Sequence, residues 1–579
     1  MIPFSRLVAT FQHLASHPRR LDRFAILSDL FREAAADEID RVIYFIQGDL
    51  LPAFHGVSLG LSEKLLLRAL AQVSGASSES LANDYRVLGD IGALAETYVQ
   101  GAGQTRSVAE VYEAIHQIAQ ISGTGSVQRK IDQVCMLLTS HPAVEAKYIL
   151  RFISGKLRLG VGEATLLESL ALARADRNSR PLLDRAYHIT SDLGWVARLW
   201  YQAGEAGLRT VSVRVGYPIR PALCERATTS EEIIERLGLC TVEIKYDGLR
   251  CQIHKFENQV AIFSRNQERT TEMFPELVEA ILRLFPNQEV ILEGEALVCD
   301  AVTGEPLPFQ TTSQRKRKHN VSQMAASYPL HFFAFDLLGY AGEDFTQRPY
   351  AERRAMLASL IQNDAAMRIA ESIQTDDPQQ VEAFFGAAVE RGFEGVVAKR
   401  HTAPYTAGAR NFNWIKMKRR HGLSDSIDVC IVGYDTGQGA RTRLGIGTIL
   451  GAVYDPDRDR FLTLSRIGSG FSESEWVQLK KLLDADIAPE CPPHVYSRIV
   501  PEVWVHPKHV VTVTADEITR SALHTAGCHL ESGDAEGYAL RFPRAMGFVR
   551  TDKGAEQATT VSEILTLYQA QAAIGTDTR

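Results

Sequence analysis

The chain has 579 residues, of which 45% are hydrophobic and 23% charged, and its net charge is −7. This length predicts roughly three or four domains, and the composition is ordinary for a globular protein. No apolar run is long enough to span a bilayer, the N-terminus lacks a signal-peptide pattern, and the eight cysteines include no Cys-x-x-Cys pair. We therefore expect a cytoplasmic enzyme with no membrane association, no disulfide framework and no structural zinc site.

The first 205 residues or so have the apolar spacing of helices. One helical run opens at Ser62, and another covers residues 163–175. Just before the second run lie two cations, Lys156 and Arg158, together with two glycines. Cations beside a helix N-terminus can bind phosphate, and here that interpretation and an ordinary loop cap are about equally favoured.

Two prolines within residues 216–221 indicate the start of a second domain, in which strand patterns dominate. Lys245 ends one predicted strand, and Asp247-Gly248 then gives the signal of a hairpin turn into the next strand. A lysine held at a strand end can be a covalent nucleophile when neighbouring cations make its ammonium acidic. The hexapeptide at 245–250 alone favours a surface lysine beside a common turn.

Two further predicted strands carry polar or aromatic residues of interest. In residues 290–298, Glu293 and Glu295 share one face, which is costly unless that face is a wet or metal-bearing pocket. The alternative is a solvent-facing edge strand. Residues 331–338 predict a buried strand in which Phe335 either stacks on a base or belongs to the core.

Two later strands carry lysines. Glu394 and Lys399 are five positions apart, so an ideal strand places them on opposite faces. Both can reach one pocket only if Glu394 lies at the strand entrance or the strand bends at Gly395. In the following strand, Lys416 and Lys418 share one face, and the residues between them point to the core.

Beyond residue 421 the sequence predicts short strands separated by glycine turns, followed by a last helix at 559–570. The number and spacing of these strands favour a small barrel. Basic residues are concentrated at 315–319 and around 416–421. Each basic run alone is weak evidence for nucleic-acid binding, because charge runs are usually solvated faces.

In this order, the motifs resemble those of the ATP-dependent DNA ligases, most closely the archaeal and eukaryotic replicative type. The matching residues run from Lys245 to Lys553. The loop that begins at Lys156 also resembles part of the family's helical DNA-binding domain. One departure is Glu293, where the family often has aspartate, which leaves the role of Glu293 open. The motifs read Lys-Tyr-Asp-Gly-Leu-Arg, Ser-Arg-Asn, Glu-Gly-Glu, Phe-Ala-Phe-Asp, Glu-Gly-Val-Val-Ala-Lys, Trp-Ile-Lys-Met-Lys and Arg-Phe-Pro-Arg.

The resemblance implies a multi-domain fold. We expect an all-α DNA-binding domain at 1–210, an α+β nucleotidyltransferase (adenylation) domain at 211–420 and an all-β OB-fold barrel at 421–579. It implies a ligase that seals nicks in double-stranded DNA during replication, repair and recombination, using ATP and Mg²⁺. Monomeric action also follows from the family, and a sliding clamp is a candidate partner, although the sequence shows no clear clamp-binding peptide.

The resemblance also assigns residues, with Lys245 as the catalytic nucleophile that becomes adenylated. Phe335 is the expected adenine stacker, and Glu243 is part of the adenine or ribose pocket. The ATP-binding set is Glu243, Arg250, Arg265, Glu295, Phe335, Lys399, Arg410 and Lys416; the magnesium carboxylates are Glu295 and Glu394; the DNA contacts are Lys156, Arg158, Arg315, Lys316, Arg317 and Lys318; and the lid residues are Arg541, Arg544 and Lys553.

Other activities remain open from the sequence. An RNA ligase or a GTP-using capping enzyme shares the lysine motif and the barrel, although the long helical region favours DNA ligases. An NAD-dependent ligase is disfavoured because no four-cysteine zinc module is present near the C-terminus. A non-catalytic nick-binding scaffold is the remaining alternative, and the intact acidic and basic motif residues argue against it.

Overall fold

The computed structural model describes the whole chain except residues 18, 175–176, 301–305, 308–310, 313–314, 316–319, 362–363, 365, 419–425, 438, 529–535 and 574–579. The chain divides into two compact units. The first comprises residues 1–385 and 393–417, and the second comprises residues 386–392 and 418–579. Within the described residues, no helix has both the length and the apolar character needed to cross a bilayer.

Helices fill the first part of the first unit, as the apolar spacing predicts. Several begin at side chains that accept hydrogen bonds from free backbone amides: Ser107 forms a capping box with Glu110, and Asp90 and Asp192 cap two other helices. The helices are α1 (Phe4–Ser16), α2 (Arg20–Glu33), α3 (Ile39–Gln47), α4 (Glu63–Ser74), α5 (Ser78–Leu88), α6 (Ile91–Tyr98), α7 (Val108–Gln120), α8 (Ser126–Ser140), α9 (Ala143–Ile153), α10 (Glu163–Ala173), α11 (Arg180–Thr190) and α12 (Leu193–Arg209).

The apolar core of these helices continues into the strand-containing part of the first unit. Ile291, Leu338, Tyr405 and Trp414 belong to the same buried cluster as the helical leucines and phenylalanines. The helical region therefore rests on the region that carries the sequence motifs, and the two form one packed body.

The strand-containing part of the first unit holds two sheets. One has the order β1-β11-β10-β2-β9, and the other has the order β4-β3-β5-β6-β7 with β8 beside β6. The elements are β1 (Leu223–Arg226), α13 (Ser230–Leu237), β2 (Cys240–Lys245), β3 (Leu249–Phe256), β4 (Gln259–Ser264), α14 (Pro275–Leu284), β5 (Val290–Val298), α15 (Val321–Ser327), β6 (Leu330–Tyr340), β7 (Glu343–Asp344), α16 (Tyr350–Leu360), β8 (Met367–Ile369), β9 (Ser372–Thr375), α17 (Pro378–Glu390), β10 (Gly395–Arg400) and β11 (Arg410–Lys418).

The predicted hairpin at Asp247-Gly248 is wrong. Strand β2 pairs with β10 and β9, whereas β3 pairs with β4 and β5, so the dipeptide connects two sheets rather than two paired strands. Gly248 does not have the left-handed φ that a two-residue hairpin turn needs. A glycine is needed here for space, because a Cβ would lie 2.6 Å from the carbonyl oxygen of Ala296.

The second unit is rich in strands, as the family resemblance implies, and it also carries helices. Helix α18 buries Trp476, Leu479 and Leu483 in the core, and Ser472 and Glu475 form its capping box. The elements are β12 (Ile427–Asp435), β13 (Thr448–Asp455), β14 (Arg460–Ile467), α18 (Glu473–Asp484), β15 (Ile487–Ala488), β16 (Val495–Tyr496), β17 (Val503–Val505), β18 (Val510–Thr514), β19 (Glu517–Ser521), β20 (Gly537–Arg541), β21 (Arg544–Ala545) and α19 (Val561–Ala573).

The main sheet of the second unit runs β15-β17-β12-β13-β14-β16, with β18 joining β12 to β21, and β19 and β20 form a separate pair. Strands β12, β13, β14 and β18 and helix α19 of this unit lie where the sequence predicts them. Among the described residues, short 3₁₀ helices lie at Ala53–His55, Arg177–Ser179 and Thr271–Met273 in the first unit and at Gly439–Leu444 and Ala555–Gln557 in the second.

Candidate active site

Lys245 lies at the end of β2, and its side chain is 22% exposed. Its ammonium forms an ion pair with the carboxylate of Glu394. Glu394 immediately precedes β10, and its amide donates to the carbonyl of Lys245 at 3.2 Å. The structure thus confirms one of the two geometries that the sequence allowed, in which Glu394 lies at the strand entrance.

Glu295 lies in β5 opposite Arg250 of β3. Burial raises the pKa of Glu295 to about 7; Lys245 and Arg250 lower this pKa, and Asp247 and Glu394 raise it. Glu295, Glu394 and the Lys245 ammonium are therefore charged neighbours. The site therefore has two carboxylates close to a single amine.

These two carboxylates fit a magnesium ion in their chemistry. Mg²⁺ prefers oxygen ligands and is usually held by one or two carboxylates together with substrate phosphates and water. A nearby dication would also favour the ionised form of Glu295, which burial opposes. Among the described residues, no cluster of three or more acidic, histidine or cysteine side chains forms a complete protein cage.

Glu293, whose role the sequence leaves open, pairs with Arg250. The Nε and Nη2 atoms of Arg250 lie 3.0 and 2.9 Å from Oε1 of Glu293, and Glu293 is buried. Tyr405 donates its hydroxyl to Oε2 of Glu293 at 2.7 Å. Glu293 therefore faces a buried cation on this chain, and the alternative of a solvent-facing edge strand does not hold.

Glu243 and Lys399 form a buried pair with 2.7 Å between Nζ and Oε2. Each is about 3% exposed or less. Lys399 also donates to the carbonyl of Phe335 at 3.0 Å, and Tyr350 donates to Glu243. Glu243 is acceptor-only when ionised, and its two oxygens meet Lys399 and Tyr350.

Aromatic rings lie beside the cations Lys399 and Arg250. Lys399 Nζ lies 4.5 Å from the Phe335 ring centroid and 4.2 Å from that of Trp414. The Arg250 guanidinium lies 5.5 Å from the Phe335 ring. Phe335 is only partly buried, so one part of its ring is accessible to a ligand. Cation–π contacts at these distances hold the lysine and arginine in place.

The other residues predicted to contact ATP lie in β11 or on the turn after β4. Arg265 is exposed on the turn after β4 and lines a cavity of about 400 Å³ together with Arg220 and Glu163. Arg410 is exposed at the start of β11, and Lys416 is half-buried further along that strand.

The loop before α10 carries its two predicted DNA-binding cations in contact with acceptors of the helical region. Lys156 Nζ lies 2.7 Å from a Glu63 oxygen. Arg158 donates to the carbonyl of Gly89 at 2.5 Å and lies 3.6 Å from Asp90. Lys156 is 54% exposed, so its pair with Glu63 is weakly held and phosphate can compete for it.

The prediction that Arg315 contacts DNA is corrected. Its side chain is 0% exposed; its guanidinium lies 2.6 Å from Glu276 and donates to the carbonyl of Met273 at 3.2 Å. Arg315 therefore ties helix α14 in place and has no surface to offer to phosphate. Lys316, Arg317 and Lys318 lie outside the described residues.

The three predicted lid cations each have a carboxylate partner inside the second unit. Arg541 Nη1 lies 2.6 Å from Glu517, and Arg544 Nη2 lies 3.2 Å from Asp516, which lies between β18 and β19. Lys553 Nζ lies 2.6 Å from Asp428. Arg544 is 60% exposed and Lys553 is 35% exposed, so both remain accessible from solvent.

Several residues that shape the site were not predicted. Arg353 forms a fully buried, bidentate pair with Asp336, whose carboxylate follows Phe335 in β6. The single carboxylate in an apolar strand is a sequence signal for a buried partner, but nothing in the sequence identifies Arg353 as that partner. Tyr350 and Tyr405 likewise contact the acidic motif residues from distant parts of the chain.

A strand-end lysine, paired carboxylates and buried arginine and lysine together define a covalent nucleotidyltransferase site. Comparison with known families gives three matches along the chain. Residues 3–171 match the DNA ligase N terminus, residues 221–418 the ATP dependent DNA ligase domain, and residues 442–553 the ATP dependent DNA ligase C terminal region.

Similar proteins cover almost the whole chain. A probable DNA ligase of Dictyoglomus thermophilum is 47% identical, with 98% of each chain covered. A DNA ligase of Pyrobaculum islandicum is 41% identical, also with 98% of each chain covered. A solved structure named Pmar-Lig_PreS3 covers 94% of this chain and 99% of its own, with a TM-score of 0.58 and 18% identity, and shares the fold.

The chain belongs to the ATP-dependent DNA ligase family. The matches span the helical region, the two-sheet region and the strand-rich region, so the family architecture predicted from the motifs is confirmed. Sealing of nicks through an adenylate intermediate, with ATP as the source of the adenylate, is the general activity of this family.

Proposed function

We propose that this chain seals nicks in double-stranded DNA with Lys245 as the nucleophile, and with magnesium held by Glu295 and Glu394. The observation that carries the assignment is the contact between the Lys245 ammonium and Glu394, with Glu295 and Arg250 next to them. The family resemblance assigns Glu295, Glu394 and Arg250 to the nucleotide and its magnesium ion, and these are the charged groups beside Lys245 that support the proposal.

In the first step the neutral amine of Lys245 attacks the α-phosphorus of ATP. A P–N bond forms, the P–O bond to pyrophosphate breaks, and pyrophosphate leaves. The ammonium must first lose a proton, and the Glu394 carboxylate in contact with Nζ is the acceptor nearest to it. Arg250 and Lys416 supply positive charge for the crowded phosphate oxygens, since positioning and charge account for most of phosphoryl-transfer catalysis.

In the second step a 5′-phosphate oxygen at the nick attacks the same phosphorus, and Lys245 leaves as the amine. In the third step the adjacent 3′-hydroxyl attacks the 5′-phosphate, and AMP leaves. Each of these steps again places an anion beside the cations of the pocket. Magnesium, when bound to Glu295 and Glu394, supplies further positive charge to the phosphates.

The base of ATP is expected to stack on the accessible part of Phe335 and to meet Glu243. The Glu243 carboxylate is held by Lys399 and Tyr350 and accepts hydrogen bonds only. A carboxylate acceptor can bind the 6-amino group of adenine and equally the N1–H and 2-amino groups of guanine, so the choice of ATP rests on the match of residues 221–418 to the ATP dependent DNA ligase domain. ATP is therefore the preferred nucleotide of this proposal.

The partner is nicked duplex DNA, bound in the cytoplasm by a monomer. Lys156 and Arg158 are proposed to exchange their acidic partners for backbone phosphates, which gives salt-dependent binding without base recognition. Arg541, Arg544 and Lys553 are proposed to act as lid cations that meet ATP in the first step. A sliding clamp remains a candidate partner, and roles in replication, repair and recombination follow from the family.

Lys245→Ala tests the proposal. The variant should seal no nicks and take up no AMP, while its affinity for nicked duplex DNA stays within a few-fold of wild type. The matched control is Lys481→Ala, which removes an exposed lysine of α18 and should retain both activities. Nick sealing by Lys245→Ala would contradict the proposal.

A further inference from the structure

The hydroxyl of Tyr405 lies inside a closed set of hydrogen bonds beside the active site. Tyr405 is 4% exposed, donates to Oε2 of Glu293 at 2.7 Å and accepts from the amide of Ala222 at 2.8 Å. Burial, together with the Glu293 charge, raises the pKa of Tyr405 well above its ordinary value. The hydroxyl therefore stays protonated and keeps its role as the donor to Glu293.

The second oxygen of Glu293 continues the set to Arg250. Nε and Nη2 of Arg250 lie 3.0 and 2.9 Å from Oε1 of Glu293. Nη1 of Arg250 donates to the carbonyl of Ala222 at 3.0 Å. The ring is thus closed, because Ala222 contributes its amide to Tyr405 and its carbonyl to Arg250.

This closed set of hydrogen bonds fixes the orientation of the Arg250 side chain, which otherwise has many rotamers. The guanidinium plane is set by three contacts and by the rings of Phe335 and Trp414, at 5.5 and 5.8 Å. Glu295 is the backbone partner of Arg250 in the sheet, so a second carboxylate lies on the neighbouring strand beside Arg250. Pre-set cations are worth more in catalysis than mobile ones because no reorganisation is needed during the reaction.

We propose that Tyr405 is a positioning residue for the adenylation of Lys245. Tyr405 holds Glu293, and Glu293 in turn holds Arg250 in the orientation that meets the phosphate of ATP. This inference rests on the proposed function, in which Arg250 binds ATP. It assigns a task to a tyrosine that lies outside the seven motifs, and it explains why the carboxylate at position 293 is held by two different side chains.

The test is the rate at which AMP from α-labelled ATP becomes attached to the full-length protein, measured in a single turnover with magnesium. Tyr405→Phe removes the hydroxyl and keeps the phenyl ring, so the packing is retained while Glu293 loses one of the two side chains that hold it. We expect attachment about tenfold slower at saturating ATP, as for the loss of one hydrogen bond to a charged group, with little change in KM for ATP.

A double-mutant cycle separates positioning from a merely structural role. If Tyr405 acts through Glu293, then Tyr405→Phe should add almost nothing to the loss already caused by Glu293→Gln. A structural role would instead multiply the two losses. The matched control is Tyr44→Phe, which removes a hydroxyl donated to Asp192 at the same 2.7 Å in the helical region and should leave the rate unchanged.

A wild-type rate for Tyr405→Phe, or multiplicative losses in the double variant, would overturn the inference. If Tyr405→Phe does not fold, Glu293→Gln alone must slow attachment at least about tenfold, and a wild-type rate for it is equally contradictory. Failure of the proposed function has a different signature, because the wild-type protein would then carry no label on Lys245.

Discussion

The proposed nucleotide site and the loop before α10 both contain cations paired with carboxylates, but the pairs differ in burial. In the nucleotide site, Lys399 is 1% exposed and its partner Glu243 is 3% exposed. In the loop, Lys156 is 54% exposed and its partner Glu63 is 35% exposed. The same kind of contact therefore has two different energetic consequences.

A buried pair cannot exchange its partner without leaving an uncompensated charge, so it fixes geometry. An exposed pair contributes little to stability and is readily replaced by water or phosphate. The difference matches the tasks proposed for the two regions. The nucleotide site must hold groups in place during three chemical steps, whereas the loop must release its cations to DNA.

The largest effect is expected at the most deeply buried pair. Arg353→Met leaves Asp336 charged and without its bidentate partner. Both side chains are 0% exposed, so water cannot solvate the carboxylate that remains. We expect the free energy of unfolding of the first unit to fall by about 3–5 kcal/mol. The measurement is the midpoint of denaturant unfolding.

A second variant sharpens that result. Combining Arg353→Met with Asp336→Leu removes both charges and should recover most of the stability, because no unpaired charge remains. Equal losses for the single and the double variant would contradict the account of buried pairs, since the loss would then come from packing alone.

A smaller effect, with a pH dependence, is expected at Glu295. Burial raises its pKa from the ordinary value of 4.5 to about 7, so the folded state binds a proton that the unfolded state releases. Without magnesium, stability from this group is present below about pH 4.5 and is lost as pH rises to about 7, by on the order of 3 kcal/mol.

The measurement for Glu295 is the unfolding midpoint of wild type and Glu295→Gln between pH 5 and pH 8 without magnesium. The two proteins should be similar near pH 5, and wild type should be less stable near pH 8. Magnesium added at pH 8 should raise the unfolding midpoint of wild type but not that of Glu295→Gln, because magnesium compensates the carboxylate charge. A difference that does not depend on pH would contradict the assignment.

The smallest effect on stability is expected at the loop. Lys156→Ala removes an exposed pair and should lower the free energy of unfolding by less than about 1 kcal/mol. Its effect should be on DNA binding instead: the slope of the logarithm of affinity against that of salt concentration should fall by about one. An unchanged slope, measured by titration of labelled nicked duplex, would remove Lys156 from the DNA interface.

The sequence predicts the parts of the site that depend on local pattern. Lys245 at a strand end follows from the period-two alternation before it, and Glu394 at the strand entrance is one of the two geometries that this alternation leaves open. The alternation of half-buried Lys416 and Lys418 with buried neighbours is also confirmed. These features need only the local chain direction, which the residue pattern specifies.

The parts that the sequence does not predict depend on contacts between distant segments. Asp247-Gly248 carries a hairpin signal, yet pairing with β5 and β10 directs its flanking strands into different sheets. Arg315 lies in a basic run, yet Glu276, 39 residues earlier, draws it into the core. Tyr405 reaches Glu293 across 112 residues, and no local spacing reports such a contact.

The most direct test of the central claim is nucleotide labelling without DNA. The protein is mixed with magnesium and α-labelled ATP, GTP or labelled NAD in separate reactions, denatured, and mapped for the labelled residue. The account predicts AMP on Lys245 from ATP. Label from GTP alone, from NAD alone, or from none of them with a folded and previously unadenylated protein would contradict it.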